Sequence, residues 1–276
     1  MTAHSGSPQW RDPWPSPEAA WLDPPWLMSG RAVTAWFPAP WDVVEKALSP
    51  DLLPEPAPFL RSRLRFYDLR FQARGSAPVH APPPRDGRFR EAVVAFPARF
   101  DELDGEVSVF LWTDSDAYMT WGREAFGWPV TLAQVALSGP LWSSVELLGL
   151  SGECRVEPGS GVAAVTEISV TGVSSSSPPS GHWLTPRRLL HAAGNEGETR
   201  ELLVVRPAVK APGKRYSATG RVRFDFPSPH LLHALAAADA EVEVADGFEL
   251  LVGADVEVLG SVRRWRNDGA RVPSGS

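Results

Sequence analysis

The chain has 276 residues, 43% hydrophobic and 22% charged, with a formal net charge of −6. That length and balance suit a soluble globular protein whose core needs neither metal nor disulfide to hold it. The mild acidity argues against nucleic acid as the main partner, and no apolar run approaches the roughly 18 residues of a membrane span.

Residues 1–20 carry Ser, Pro and Trp without periodicity and read as a flexible arm, with no basic start and apolar stretch of a signal peptide. Arg31–Phe37 reads as a first strand. Pro40–Leu48 reads as a short helix, with Trp41, Val44 and Leu48 at helical spacing, ended by Pro50 and Pro54. Phe59–Phe71 alternates in part and is expected to be a strand. The Pro-rich stretch Ser76–Asp86 reads as a loop. Phe89–Arg99 reads as a strand bearing Glu91, and Glu106–Thr113 is the clearest strand of this half. Asp114–Glu124 then reads as a helix entered through Asp or Ser caps and closed by Trp128-Pro129.

Ser143–Leu150, Glu153–Pro158, Gly161–Thr171 and Glu201–Val209 are Val-, Ile- and Leu-rich runs bounded by Gly or Pro, hence expected strands. Ser174–Gly181 reads as a loop and Gly194–Thr199 as a tight connector between strands. Gly220–Asp225 reads as a strand, Pro227–Ala238 as a helix and Ala240–Leu259 as one or two strands; the tail from about Arg263 reads as loose. The chain is therefore expected to be mainly β, a sandwich or barrel with a few added helices. The expected organisation is an arm over 1–20, one domain over 21–262 and a tail over 263–276.

Cys154 is the only cysteine, so no internal disulfide forms and a reducing cytoplasm is expected. With no His near it in sequence it reads as a buried structural thiol rather than a nucleophile. His230 and His233 stand three apart, but no third ligand has convincing spacing, so no metal is expected. Gly159-Ser160-Gly161 lacks the Gly-Lys of a phosphate loop.

The segment Trp121-Gly122-Arg123-Glu124-Ala125-Phe126-Gly127-Trp128-Pro129-Val130-Thr131-Leu132 resembles the signature of acetoacetate decarboxylases, in which Gly-Arg-Glu is followed by an aromatic residue, Pro, two lysines and Leu. Gly122, Arg123, Glu124, Trp128, Pro129 and Leu132 match. The Schiff-base lysine falls on Val130 and its neighbour on Thr131. Ser29-Gly30-Arg31 resembles the segment bearing the family's substrate-binding arginine. Phe89-Arg90-Glu91 with Phe96-Pro97 resembles the segment bearing an active-site glutamate. A second family glutamate falls near Ser62, where there is no acid. The resemblance covers about residues 24–260. It implies an acetoacetate decarboxylase-like cone-shaped β-barrel or sandwich, an enclosed pocket, a homo-oligomer and no cofactor.

The family reaction needs an unprotonated lysine that forms an iminium, the electron sink for loss of carbon dioxide; the handling of that amine's pKa is a well-known case of nucleophile activation. Val130 and Thr131 supply no such amine, and the chain's only lysines are Lys46, Lys210 and Lys214. Acetoacetate decarboxylation by the family mechanism is therefore not expected. Glu91 remains as a general acid or base. Arg31 is expected to bind a carboxylate or polarise a carbonyl, and Thr131 to donate a hydrogen bond. Val130, Trp128, Trp121, Trp112 and Trp36 are expected to line an apolar substrate pocket, suited to a hydrophobic small molecule. Arg123 and Glu124 are better read as a structural ion pair or cap. The leading expectation is a lysine-independent enzyme of cyclase or lyase type, acting on a keto, enol or polyketide-like small molecule in secondary metabolism by cyclisation, isomerisation or dehydration. The alternatives are a non-catalytic small-molecule-binding protein and a decarboxylase that works without an iminium.

Overall fold

The computed structural model describes residues 26–73, 87–126, 128–138, 150–156, 164–174, 183–189, 199–205, 207–235, 237–252 and 256–261. The expected arm over 1–20, the loop over 76–86, nearly all of the expected strand over 143–150, the connector over 194–198 and the tail from 263 lie outside these residues. In chain order the elements are β1 (Trp26–Pro40), α1 (Trp41–Ala47), β2 (Phe59–Ala73), β3 (Arg88–Phe100), β4 (Leu103–Thr113), α2 (Asp116–Phe126), β5 (Val130–Leu132), β6 (Gln134–Leu137), β7 (Ser151–Val156), β8 (Ala164–Ser174), β9 (Trp183–Leu189), β10 (Thr199–Val205), β11 (Ala208–Ala211), β12 (Lys214–Asp225), β13 (Ala237–Val252) and β14 (Val256–Ser261). The mainly β architecture expected from the sequence is the one found. No helix among the described residues is long and apolar enough to cross a membrane.

One 14-stranded sheet runs β14-β10-β9-β4-β3-β2-β1-β13-β12-β8-β7-β6, with β11 beside β13 and β5 beside β4. Period-two alternation decides which face each side chain takes. On β12, Ala218, Gly220, Val222 and Phe224 are buried while Thr219, Arg221, Arg223 and Asp225 are exposed. On β3 every residue from Glu91 to Phe96 is buried, so both faces of the sheet are covered there.

One face holds the larger core, including Val33, Phe37, Leu64, Phe66, Val94, Phe96, Cys154, Ile168, Val222 and Phe224. The sheet curls so that β6 returns across β2, β3 and β4 on this face. A Cβ at Gly152 on β7 would sit 2.6 Å from Cγ of Phe66 on β2. Phe66 is fully buried and has little room to yield. Gly152→Ala is therefore expected to destabilise the protein by about 1–3 kcal/mol through overpacking, measured by urea denaturation. An unchanged midpoint would show that Phe66 moves freely. The opposite face carries the smaller cluster of Met28, Ala32, Tyr67, Leu69, Phe89, Val93, Leu111, Tyr118, Trp128, Val130, Ala245, Phe248 and Val252.

The helix expected over Pro227–Ala238 is a correction. Only a 3-10 turn, Leu231–Leu235, forms, and β13 begins at Ala237. Ala237, Ala238 and Ala240 pair with Arg223, Val222 and Gly220 of β12. The hydrogen-bond ladder of an existing strand outweighs the helix preference of alanine, which is a weak local term. β9 (Trp183–Leu189) is the strand that precedes the expected connector. It pairs with β10 through Leu189↔Thr199 to Trp183↔Val205, with Pro186 opposite Leu202.

Candidate functional site

The residues that resemble the family signature build a clasp. Ser115 caps α2, its Oγ accepting the Tyr118 N–H at 3.2 Å. Thr113 Oγ1 donates to the Arg90 carbonyl at 2.8 Å, and Asp114 Oδ1 accepts the Arg90 N–H at 2.7 Å, which fixes the helix start to β3. Beyond the helix, Trp128 N–H donates to the Gly122 carbonyl at 3.0 Å and Val130 N–H to the Trp128 carbonyl at 2.8 Å. Arg123 Nε donates to the Val130 carbonyl at 2.6 Å. A Cβ at Gly122 would stand 2.9 Å from Val130 Cγ2 and 3.3 Å from Trp128 Cε3, so the close approach requires glycine. Gly122 and Arg123 thus hold residue 130 fully buried beside Leu111 of β4. The structural reading of Arg123 accounts for its contact; the Glu124 side chain lies outside the described residues.

Beside this clasp, on the face of the smaller cluster, is a narrow cavity lined by Met28, Arg63, Arg65, Tyr67, Leu69, Glu91, Val93, Ser108, Leu111, Tyr118, Trp128, Leu250 and Val252. About 30 Å³ of it is open to the centre of a water molecule, space for roughly two waters. Glu91 is 5% exposed. The Tyr118 hydroxyl hydrogen-bonds its carboxyl, while Oε2 has no partner among the described residues. Burial pushes Glu91 up from 4.5 to about 7; the Tyr118 hydrogen bond and the Arg65 charge pull the other way. Burial, then the Glu91 charge, raises the Tyr118 phenol. The Tyr118 ring is stacked on Phe89 at 4.1 Å, which fixes its hydroxyl.

β2 supplies the cationic wall. Arg63, Arg65, Tyr67 and Leu69 share one face by alternation. Arg63 is buried and paired with Glu106 of β4. Arg65 Nε donates to Thr34 Oγ1 at 2.8 Å and its NH1 donates to the Tyr67 hydroxyl. None of these four was singled out from the sequence. The signal was there in Arg61, Arg63 and Arg65, cations at every second position of one strand.

Of the residues singled out from sequence, the structure brings Glu91 and Trp128 to the cavity and buries Val130 in the same apolar cluster. The others lie elsewhere. Arg31 and Glu91 are on opposite faces of the sheet: Arg31 pairs across β2 with Asp68, Glu91 across it with Tyr67. Arg31 is 3.9 Å from Asp68, which Arg88 also grips at 2.8 and 2.6 Å. Thr131 alternates outward from Val130, is exposed, and donates to the Leu111 carbonyl at 3.3 Å. Trp112 belongs to the larger core and is stacked with Phe110 at 5.7 Å. Trp36 lines a separate open depression of about 770 Å³ with Phe59 and Arg61. The Trp121 side chain lies outside the described residues.

All three lysines are exposed and none lines the cavity: Lys46 on α1 bonds Asp42 at 3.2 Å, Lys210 is on β11 and Lys214 opens β12. Cys154 is fully buried and burial pushes its thiol up, as suits a structural thiol. The His230 ring is stacked on Phe226 at 4.4 Å, and His233 Nδ1 is 2.7 Å from the Phe226 carbonyl. Among the described residues no three potential metal ligands cluster.

The family model for acetoacetate decarboxylase matches residues 11–246. No curated protein matches the chain significantly. Among solved structures the chain is similar to the enduracididine biosynthesis enzyme MppR, at 18% identity and a TM-score of 0.67 over 88% of this chain and 91% of that one. MppR complexed with pyruvate gives 17% and 0.64 over 86% and 91%. Acetoacetate decarboxylase from Legionella pneumophila gives 14% and 0.63 over 95% and 99%. At these identities the likeness is one of fold.

Proposed function

The chain belongs to the acetoacetate decarboxylase family, and on that premise we propose that it is an enzyme that shuttles a proton on a small keto or enol compound through Glu91, without a covalent lysine adduct. The observation that carries this reading is the state of Glu91. Its carboxyl is buried, held on one side by Tyr118, unpartnered at Oε2 among the described residues, and pushed up to about 7. A carboxyl with that pKa exists at neutral pH in comparable amounts as base and as acid, the condition for efficient proton transfer in both directions. The exposed positions of Lys46, Lys210 and Lys214 support the absence of an iminium.

Isomerisation by enolisation, aldol-type cyclisation and β-elimination of water from a carbonyl compound each begin with removal of a proton beside the carbonyl. A poised carboxyl takes that proton and returns it to a carbon, to the new alkoxide or to the departing hydroxyl, which leaves as water. Mostly apolar walls of Met28, Leu69, Val93, Leu111, Trp128, Leu250 and Val252 exclude water from that exchange. The narrow cavity favours a compact substrate, and the fold likeness to an enduracididine biosynthesis enzyme solved with pyruvate favours a small keto compound of secondary metabolism. Arg31 and Thr131 have no part in this reading.

The direct test is borohydride reduction in the presence of pyruvate or acetoacetate, followed by intact-protein mass spectrometry. No mass gain is expected. A gain mapped to Lys46, Lys210 or Lys214 would sink the lysine-free reading. Stoichiometric binding of substrate without any turnover would favour the binding-protein alternative.

A further inference from the structure

We propose that Tyr67, polarised by Arg65, is the electrophile of this site: its hydroxyl donates to the carbonyl oxygen of an enolisable substrate and holds the enolate that forms. The inference rests on the reading of Glu91 as the proton-transfer group. It supplies what that reading lacks, an electron sink in place of the iminium.

The geometry is that of two strands in register. Tyr67 on β2 is directly opposite Glu91 on β3, and both side chains line the cavity. Arg65 stands two residues before Tyr67 on the same face, with its guanidinium 5.2 Å from the Tyr67 ring centroid. A guanidinium only donates, so in the Arg65–Tyr67 bond the phenol oxygen is the acceptor. The phenol proton is left over, and no described residue accepts it. Tyr67 is 4% exposed; a buried donor without an acceptor is costly, and a ligand oxygen in the cavity removes that cost.

Charge points the same way. Arg63 has Glu106 as its counter-ion. Arg65 bonds two neutral oxygens, Thr34 Oγ1 and the Tyr67 hydroxyl, and makes no ion pair among the described residues. Its charge also acts on the Glu91 carboxylate; once Glu91 has taken up a proton, that charge serves the anion that develops next to Tyr67. A hydroxyl that accepts from a cation becomes a stronger donor, because the bonds of such a chain polarise one another. Donors fixed before the reaction at the oxygen where charge appears are the most effective kind of stabilisation.

The steps balance. Glu91, as carboxylate, takes a proton from the carbon beside the carbonyl. The C–H electron pair becomes a C=C bond, and the carbonyl π pair moves onto oxygen, where the Tyr67 O–H holds it. Glu91, now the acid, returns the proton to a carbon of the enolate. No oxidant, reductant or further reactant is consumed. Tyr67 touches the substrate and is catalytic; Arg65 acts through Tyr67 and is a positioning residue.

The probe is 2,4-pentanedione, whose enolate has its own ultraviolet band, titrated into wild type, Tyr67→Phe, Arg65→Gln, Arg65→Lys and Glu91→Gln. In parallel, exchange of the pyruvate methyl hydrogens into D2O is followed by NMR. Wild type is expected to bind the enolate. Tyr67→Phe, which keeps the ring and its packing, should weaken that binding at least about tenfold, the scale of one hydrogen bond to a charged group. Arg65→Gln should weaken it and shift the enolate band, with Arg65→Lys restoring part of both, which a merely structural arginine would not do. Glu91→Gln should still bind the enolate. Equal binding by wild type and Tyr67→Phe, or no enolate band with wild type, overturns the inference. Loss of exchange in Glu91→Gln together with equal enolate binding by Tyr67→Phe would remove Tyr67 and keep Glu91. Tyr67-dependent enolate binding with no exchange by wild type would keep Tyr67 and remove the proton-transfer reading.

Discussion

Glu91→Gln is expected to lower turnover by about 100- to 10,000-fold, the usual worth of a positioned general acid or base, while the protein still folds. Glutamine keeps the shape of the side chain and an oxygen for the Tyr118 hydroxyl, but it neither takes nor gives a proton. The same variant has a stability signature that does not depend on knowing the substrate. Burial raises the folded-state value of Glu91 from 4.5 to about 7. Below about pH 4.5 the group is protonated in both the folded and the unfolded chain. Between there and about pH 7 the folded state binds more protons than the unfolded state, so stability falls as pH rises through that window. By pH 8 the loss from this one group is roughly 3 kcal/mol. Glu91→Gln removes that slope and should be more stable than wild type at about pH 8, with little difference at about pH 4.5. Urea midpoints of both proteins across that range read the effect. Parallel curves would mean that Glu91 is solvated and ordinary, and the proton shuttle would go with it.

The second large effect is expected at the cationic wall of the same cavity. Glu106→Ala should destabilise the protein by about 3–5 kcal/mol, the cost of leaving a buried cation without its counter-ion. The melting temperature should fall by on the order of 10 °C for a chain of this size. Arg63 is 8% exposed and its ion-pair partner is Glu106, which is itself mostly buried. Burial first, and then the charge of Arg65, holds Arg63 well below the ordinary arginine range. Arginine does not shed its proton easily, so the uncompensated charge must distort its surroundings or draw in water. Replacing both partners, Arg63→Leu with Glu106→Leu, should recover most of the loss, since apolar pairs of similar volume substitute well for buried ion pairs. Scanning calorimetry of wild type and the two variants gives the answer. A fall of less than a degree or two in Glu106→Ala would mean that Arg63 swings out to solvent.

Much of the architecture was legible because its causes are local. A strand declares itself through alternation, as in β12, and a helix start through its cap, as in Ser115 before α2. The resemblance of Trp121–Leu132 to the family signature marked this segment, and the valine at 130 was read directly from the sequence; the clasp that the segment builds came from the structure. Glu91 was found through the likeness of Phe89-Arg90-Glu91 with Phe96-Pro97 to the family segment that bears an active-site glutamate; its burial came from the structure. Sequence alone determined these things: a mainly β chain, a few short helices, and a valine, Val130, where the resemblance places the family's lysine.

Only the tertiary structure decided which of these residues meet. Arg31 and Glu91 sit on neighbouring pairs of the same sheet, yet alternation sends them to opposite faces. The register of β1 shifts against β13 between Gly30 and Arg31 but runs unbroken against β2, and it is the pairing with β2 that decides which residues each of them faces. Arg63, Arg65 and Tyr67 were visible as an alternating row, but their meaning lies in Glu106, Thr34 and Glu91 on other strands. Alanines 237, 238 and 240 favour helix by themselves and became strand because β12 offered a ladder. The physical reason is the same in each case. Propensity and periodicity act over a few neighbouring residues, whereas register, charge pairing and the sharing of a cavity are set by partners far along the chain. Strand pairing and burial weigh more than the local preferences they override.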